Sequence, residues 1–300
     1  MVDFKLREDD IDRDLQKEMG DEILRVDWTH GAAVRCGAKC LLNIMDGRNK
    51  ILSSRFTCNS KPYSSKPSME ALFRRGLQPK VVYVDDECCG SWSTVLCILW
   101  PDIAVRLDPM HAMMRLTKTT TSTQHPQHGK FCADLAACIF EYDAETLQSL
   151  SAAWSREHGA SPLPLQVKRK YVPRFIRDPH QITFAVDGLI KKLEKESCGC
   201  GHPLFTTATN HAWKSLREHV SNGCLSDPPG ISLNLQGEVA IIGGEQFHAI
   251  HSLRGTSPVE RLHSQQKQWL GIFAQHDTIV GEALLKDGAW RWNCKKSDAE

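Results

Sequence analysis

The run Lys80-Val81-Val82-Tyr83-Val84-Asp85, followed at a helix-length interval by Ile103-Ala104-Val105-Arg106-Leu107-Asp108, decides how the rest of the chain reads. Each is a short, nearly continuous apolar run that closes on an acid. Apolar residues without alternation fit a strand covered on both faces, as in the parallel part of an α/β sheet. Ser91 to Trp100, between the two runs, has helical spacing, and a further helix is expected from about Met110. The region therefore reads strand, helix, strand, helix.

Three more runs precede it: Ile23-Leu24-Arg25-Val26-Asp27-Trp28, Cys40-Leu41-Leu42-Asn43-Ile44-Met45 and Ile51-Leu52-Ser53-Ser54-Arg55-Phe56-Thr57. The last two flank Asp46-Gly47-Arg48-Asn49, and an Asp-Gly between apolar runs signals a hairpin. A helix over Ser68–Gly76, capped by Ser68, leads into Lys80. Three antiparallel strands extended by alternating helix and parallel strand predict a mixed five-stranded α/β sheet flanked by helices, in the ribonuclease H order.

Residues 1–21 are charged, lack a sustained apolar stripe and are expected to form a solvated lead-in, with a short helix as the alternative. Residues 22–118 hold the first part of the core. From 119 to 236 the character changes to helical stretches (Phe131–Tyr142, Ala144–Glu157, Ile182–Glu196, Thr209–Ser221) between loops rich in Pro, Gly, His and Ser. That pattern predicts a mainly helical insertion, with Thr117–His128 as a flexible loop. The remainder of the core is expected over 237–293, with a short strand at Val239–Ile242 and helices from Ser257 and about Thr278. Residues 294–300 read as a disordered tail.

Composition narrows the function classes. The 300 residues are 41% hydrophobic and 24% charged, the balance of a globular protein. No apolar run approaches the roughly 20 residues that span a bilayer, and the first ten residues lack the apolar centre of a signal peptide, so an intracellular location and no membrane partner are expected. Twelve cysteines without a secretion signal read as reduced thiols rather than a disulfide framework. The net charge of +1 means that any nucleic-acid contact must come from local patches. No Gly-x-Gly-x-x-Gly follows a strand, and neither a Walker lysine loop nor a Gly-x-Ser-x-Gly elbow occurs, which argues against a dinucleotide enzyme, a P-loop ATPase or a serine hydrolase.

Asp27 and Asp85 lie on strands expected to be neighbours, so their carboxylates can meet over one sheet edge. Two Mg²⁺ ions about 3.5–4 Å apart, held by such acids, can activate an attacking oxygen and stabilise a leaving one in phosphodiester chemistry. Taken singly, each acid also reads as an ordinary strand-end residue, with Asp85 capping the next helix. Glu260 is more ambiguous. Ser257-Pro258-Val259-Glu260 has the pattern of a capping box, which accounts for the glutamate without chemistry. His263 shares its helical face.

Other clusters carry alternative readings. Cys198-Gly199-Cys200-Gly201-His202, with Cys224 further on, is a candidate structural zinc site, although Cys-x-Cys-x-His departs from the usual Cys-x2–4-Cys spacing. Lys168, Arg169, Lys170, Arg174 and Arg177, interleaved with Tyr171 and Phe175, suit a DNA backbone and unpaired bases, and equally a solvated loop. Cys88 and Cys89 read as packing residues.

Val81 to Cys89 and Trp100 to His111 resemble the middle of transposase-derived proteins abundant in fish and invertebrate genomes, which are similar to Mutator-like and Zisupton-type DDE transposases. In that group the second catalytic Asp ends a strand, and the next strand ends in Cys or Asp followed by two residues and a His; here those positions are Asp85, Asp108 and His111. Arg254-Gly255-Thr256-Ser257-Pro258-Val259-Glu260-Arg261-Leu262-His263 and Gly288-Ala289-Trp290-Arg291-Trp292-Asn293 form a second block, and Ser226-Asp227-Pro228-Pro229-Gly230 a weaker third. The resemblance spans about residues 22–293. It implies Asp27, Asp85 and Glu260 as catalytic, metal-binding acids for two Mg²⁺ or Mn²⁺ ions. Asp108, His111 and His263 support them, a helical insertion separates the second acid from the third, and a Trp-Asn pair closes the domain.

The function implied by this resemblance is that of a transposase-derived core for metal-dependent DNA cleavage and strand transfer. Its partner would be DNA, at transposon ends or non-specifically, in the nucleus and with homodimers as a candidate state. Relatives carry a long N-terminal region with zinc-binding or other DNA-recognition modules, whereas only a short segment precedes the first strand here. The resemblance is therefore compatible with a truncated or inactive transposase, and with a domesticated DNA- or chromatin-binding protein that kept the fold and lost catalysis.

Overall fold

Five strands form one mixed sheet: β1 (Ile23–Thr29), β2 (Cys40–Asp46), β3 (Ile51–Thr57), β4 (Val81–Val84) and β5 (Ala104–Leu107), in the order β3-β2-β1-β4-β5. β2 runs antiparallel to β1 and β3, whereas β1, β4 and β5 are parallel. In this computed structural model, residues 2–195, 201–271 and 275–297 are described. The chain divides into two units, one of Met1–Asp108 with Gly255–Glu300 and the other of Pro109–Arg254. The sheet belongs to the first, with helices α1 (Val2–Lys17), α2 (Lys66–Arg74) and α3 (Ser91–Leu96). β4 is buried throughout, as its unbroken apolar run requires. α2 begins two residues before Ser68, with Pro67 in its first turn and Ser65 at the cap position, because proline fixes the φ that a first helical turn needs.

The second unit contains α4 (Pro109–Thr117), α5 (His128–Ile139), β6 (Phe140–Tyr142), α6 (Ala144–His158), α7 (Leu165–Tyr171), β7 (Arg174–Ile176), α8 (Pro179–Lys195), α9 (Ala208–Ser221), β8 (Asn234–Ile242) and β9 (Glu245–Ser252). It is mainly helical, but its bounds differ from those expected. Val239–Ile242 is the end of β8, which pairs with β9 in a hairpin of this unit and adds nothing to the five-stranded sheet. Phe140–Tyr142 leaves the helix to pair with β7. The segment after α4 is not a free loop: Thr120 bridges to Phe205, and both Thr120 and His125 are buried. The Ser226–Gly230 block has a structural basis, since the Arg254 guanidinium donates to both Asp227 carboxylate oxygens at 2.7 and 2.6 Å.

Chain returning to the first unit forms α10 (Ser257–Trp269) and α11 (Thr278–Ser297). Val259 and Leu262 of α10 pack with Met45, Ile51 and Ala289, while Leu285 of α11 joins Ala33, Cys36 and Leu41. Fully burying side chains of this size contributes about 1.5–3 kcal/mol each. The lead-in is a sixteen-residue helix, longer than the short one held as an alternative, and it is not wholly solvated: Phe4 and Ile11 are buried against Ala283. Lys286 reaches Glu8 and Asp12 of the same helix at 3.4 and 2.9 Å. Phe4, Ile11 and Leu15 are spaced by whole turns, a stripe thin enough to be hidden by the surrounding charge. Residues 295–297, expected in a tail, form the last turn of α11.

The Trp292-Asn293 pair closes the edge of the sheet. Trp292 Nε1 donates to the Asn49 carbonyl at 2.7 Å, at the β2–β3 turn. Asn293 accepts from Ile51 N–H at 2.8 Å and donates to Ile51 C=O at 2.9 Å, satisfying both backbone groups of a buried residue on the edge strand. Leaving such groups unpaired costs about 1–3 kcal/mol each. Asn293→Ala is therefore expected to destabilise the first unit by about 2–4 kcal/mol, read as a lower urea midpoint at unchanged slope; a loss below about 1 kcal/mol would show that the edge is held by packing instead.

Candidate metal centre

Parallel pairing fixes where the acids stand. Ile23, Leu24 and Arg25 of β1 face Val81, Val82 and Tyr83 of β4. The same offset carried two residues on sets Asp27 against Asp85. Val81 to Val84 face Ala104 to Leu107 of β5, and one residue on sets Asp85 against Asp108. Three adjacent parallel strands thus present one carboxylate each at the same level of their C-terminal ends, the edge where open α/β sheets place ligands. Asp85 and Asp108 lie one residue past their strands rather than within them. Asp27 is within β1 and pairs with Asn43 of β2, so both side chains leave the sheet on one face.

Asp27 and Asp108 are buried and Asp85 is half-buried. Oxygens of Asp85 and Asp108 lie within 4.8 Å of each other, and those of Asp27 and Asp85 are close enough to hydrogen-bond when one is protonated. Burial, then the Asp85 carboxylate, then Glu260, push the Asp27 carboxyl up to about 10; the Trp28 N–H, 2.6 Å from Asp27 Oδ1, opposes this only weakly. Among the described residues Asp27 forms no ion pair with lysine or arginine. The basic group beside it is His263, at 3.7 Å.

The start of α10 completes the cluster. Its cap is Thr256, not Ser257, and the expected capping box does not form. The Thr256 hydroxyl is engaged elsewhere: it bridges Asp85 Oδ1 at 3.1 Å and Asp108 Oδ2, which also accepts the Thr256 N–H. Gly255 precedes it at φ +79°, in the left-handed region, where a Cβ would come 3.1 Å from the Asp108 carboxylate. Released from the cap, Glu260 is exposed and lies with Asp27 and His263 in a group whose ligand atoms are all within 4.8 Å of one another. His263 Nδ1 is 3.3 Å from Glu260 Oε2, while its Nε2 is buried without a partner. Burial outweighs Glu260 and pushes the imidazole pKa down, so His263 is neutral at pH 7. A cavity of about 160 Å³ lies over Asp27 and Asp85, lined also by Asp86, His30 and Ser60.

Sequence reasoning missed the residues that hold this geometry. Gln266, one turn after His263, donates through Nε2 to Asn43 Oδ1 at 2.7 Å and to Ser54 Oγ at 3.0 Å, and accepts from Asn43 Nδ2 at 3.1 Å. This wholly buried amide pair ties α10 to the middle of the sheet. The signal that could have found it is Asn43 itself, a polar side chain inside an otherwise apolar strand. Thr256 announces itself only as the residue before an apparent Ser cap.

The remaining expected site residues fall within Pro109–Arg254 in the chain. His111 lies half-buried in the first turn of α4, in the second unit. Lys168, Arg169 and Lys170 are on α7, with Arg174 on β7 and Arg177 just after it; four of these five, all but Lys170, line a cavity of about 550 Å³ in that unit. Lys168 Nζ sits 4.0 Å above the Tyr142 ring. Of the candidate zinc ligands, Cys198 and Cys200 lie outside the described residues; His202 is exposed and Cys224 buried. No helix among the described residues is long and apolar enough to cross a membrane. No protein-family model and no curated protein matches the chain.

The raised Asp27 pKa fixes the sign of a pH effect. An aspartate in the unfolded chain ionises near 3.9, and Asp27 in the folded chain only near 10. The folded state binds the extra proton, so stability is lost progressively as pH rises above about 4. With EDTA present, Asp27→Asn is expected to flatten this slope between about pH 5 and 8.5 and to raise the melting temperature near pH 8, by about 2–4 °C for each kcal/mol recovered. A parallel wild-type and variant profile would mean that the carboxyl is not strained by its neighbours.

Proposed function

We propose that the first unit is a ribonuclease-H-like catalytic core, transposase-derived, that cleaves DNA phosphodiesters and transfers strands with two Mg²⁺ or Mn²⁺ ions bound by Asp27, Asp85 and Glu260. The observation that carries this reading is the convergence of Glu260, from a helix formed after the whole second unit, onto Asp27 and His263 within 4.8 Å. Further support comes from the strand order and from three acids levelled across adjacent parallel strands. The residues suit hard divalent ions. Carboxylate oxygens dominate the cluster, and Asp27 is buried beside two other acids with no lysine or arginine among the described residues to neutralise it.

Bound divalent ions would supply Lewis-acid stabilisation of the attacking and leaving oxygens. The chain's own residues do the rest. Asp27 and Asp85 offer oxygens from a rigid sheet, which keeps ligand positions fixed. Thr256 holds the Asp85 and Asp108 carboxylates in their rotamers through its hydroxyl and N–H. His263, whose burial favours the neutral imidazole, has Nδ1 3.3 Å from Glu260 Oε2 and in the Nδ1–H tautomer would donate to it, which would position the third acid. Lys168, Arg169, Arg174 and Arg177 of the second unit, beside the Phe140 and Tyr142 rings, offer a DNA backbone a cationic track. DNA as partner places the protein's work in the nucleus.

Nicking of end-labelled duplex in Mg²⁺ or Mn²⁺ tests the reading. Asp85→Ala and Glu260→Gln are expected to lower the rate at least about 10³-fold while leaving DNA affinity in EDTA within about twofold. Mn²⁺ is expected to raise the melting temperature of the wild type and not of Asp85→Ala. Wild-type chain that binds DNA, with no nicking in either metal and no metal-dependent shift in melting, would leave the domesticated DNA-binding protein as the surviving alternative.

A further inference from the structure

Glu260 and Arg261 are neighbours in sequence but stand about 100° apart around α10. Arg261 begins a second stripe, Arg261, Gln265 and Trp269, spaced by four residues and therefore on one face. This stripe and the facing side of α11 enclose a groove of about 650 Å³ that none of the metal-site residues enters. Among the described residues, four cations line it, Arg261, Arg291, Lys295 and Lys296, and one acid, Asp287. That acid is already taken, by Arg291 at 2.9 Å and Arg7 at 3.5 Å. Arg261 and Lys295 are exposed and have no acidic partner among the described residues.

The groove also presents two indoles, those of Trp269 and Trp292, half-buried and edge to face at 6.4 Å. Both are held in place. Trp292 is fixed by its hydrogen bond to the Asn49 carbonyl. Trp269 seats against Gly288, where a Cβ would lie 2.3 Å from the ring, so any larger residue would displace it. Lys296 Nζ lies 5.6 Å above the Trp292 ring. Rigid aromatic surfaces rimmed by cations, two of which have no acidic partner among the described residues, are the pattern that binds unpaired nucleotides, the rings stacking on bases and the cations meeting phosphates. A duplex presents phosphates but keeps its bases stacked on each other, so it would leave the indoles unused.

We propose that this groove binds the unpaired DNA strand flanking the scissile phosphate, with phosphates on Arg261, Arg291, Lys295 and Lys296 and a base against Trp269 and Trp292. The proposal rests on the reading of the first unit as a DNA-cleaving core. It gives α10 two faces with two tasks: Glu260 serves the metal site, and Arg261, one residue on, receives the strand that leads from it.

Fluorescence anisotropy of a labelled oligothymidylate against the full chain tests this in EDTA, where no result depends on cleavage. Arg261→Gln with Lys295→Gln, both exposed, is the informative variant; Lys191→Gln with Lys214→Gln, exposed on α8 and α9 of the second unit, is the control and is expected to keep the wild-type affinity. The groove variant is expected to bind the single strand about tenfold more weakly. Loss of two phosphate contacts should also reduce the slope of log affinity against log salt by about 1.4. Its affinity for a blunt duplex should change less than about twofold, and wild-type tryptophan emission should be quenched on oligothymidylate binding. The proposal is overturned if the wild type does not bind the single strand, if the groove variant keeps the wild-type affinity and slope, if single strand and duplex lose equally, or if a polyglutamate peptide displaces the oligonucleotide. Nicking in Mg²⁺ is scored separately, so an inert metal site with an intact groove, and an active metal site with an indifferent groove, are distinct results.

Discussion

Three carboxylates at one level of three hydrogen-bonded strands cannot move apart without breaking the sheet, and much of the first unit is arranged around that constraint. Two unit charges about 4 Å apart repel by roughly 4 kcal/mol at an effective dielectric near 20. Burial makes matters worse for Asp27, which is why its carboxyl holds its proton so strongly. Among the described residues the fold answers with dipoles rather than with lysine or arginine at Asp27. Trp28 N–H meets Asp27, and Thr256 brings both its N–H and its hydroxyl from the start of a thirteen-residue helix. A helix N-terminus is favourable for anions, but by an amount smaller than the repulsion it faces. A divalent cation is the remaining device of sufficient charge, which is the physical content of the proposed metal site.

Such an arrangement is legible in sequence to the extent that it is written in backbone periodicity. The runs ending in Asp85 and Asp108 are apolar because both faces of their strands are covered, and equal offsets between parallel strands then level the acids without further information. Glu260 is written ambiguously. Ser257-Pro258-Val259-Glu260 carries a cap pattern, yet Thr256 occupies the cap position with its hydroxyl turned to the acids, so the glutamate takes no part in a capping box. Periodicity cannot reveal this, because hydroxyl direction is decided by tertiary partners. The packing of the first helix escapes notice for the opposite reason: its apolar residues are few and its charges many, and it is buried because α11 offers Ala283, Lys286 and Trp290 as a surface. The hairpin of β8 and β9 has the signal of a core strand, but which sheet a strand joins is a property of the whole chain.

The position of the third acid is the least local fact in the molecule, and it is also the best anchored. Val259 and Leu262 are wholly buried on either side of Glu260 in the helix sequence. Gln266 exchanges two hydrogen bonds with Asn43, the residue that pairs with Asp27. At the far end of α10, Arg35 Nη1 donates to the Lys267 and Gly271 carbonyls at 2.9 and 2.6 Å, satisfying acceptors that a helix C-terminus leaves open. Three independent ties, apolar, amide and guanidinium, thus hold the helix that carries this exposed acid. The Asn43–Gln266 pair is the informative one. A buried amide pair contributes little net stability over an apolar pair of equal shape, but a single mismatch leaves donors and acceptors unsatisfied. It therefore specifies one seating of α10 rather than strengthening all seatings. Because that seating decides both where Glu260 meets Asp27 and where Arg261 faces α11, the register of one amide pair sets the acidic cluster and the neighbouring cationic groove together.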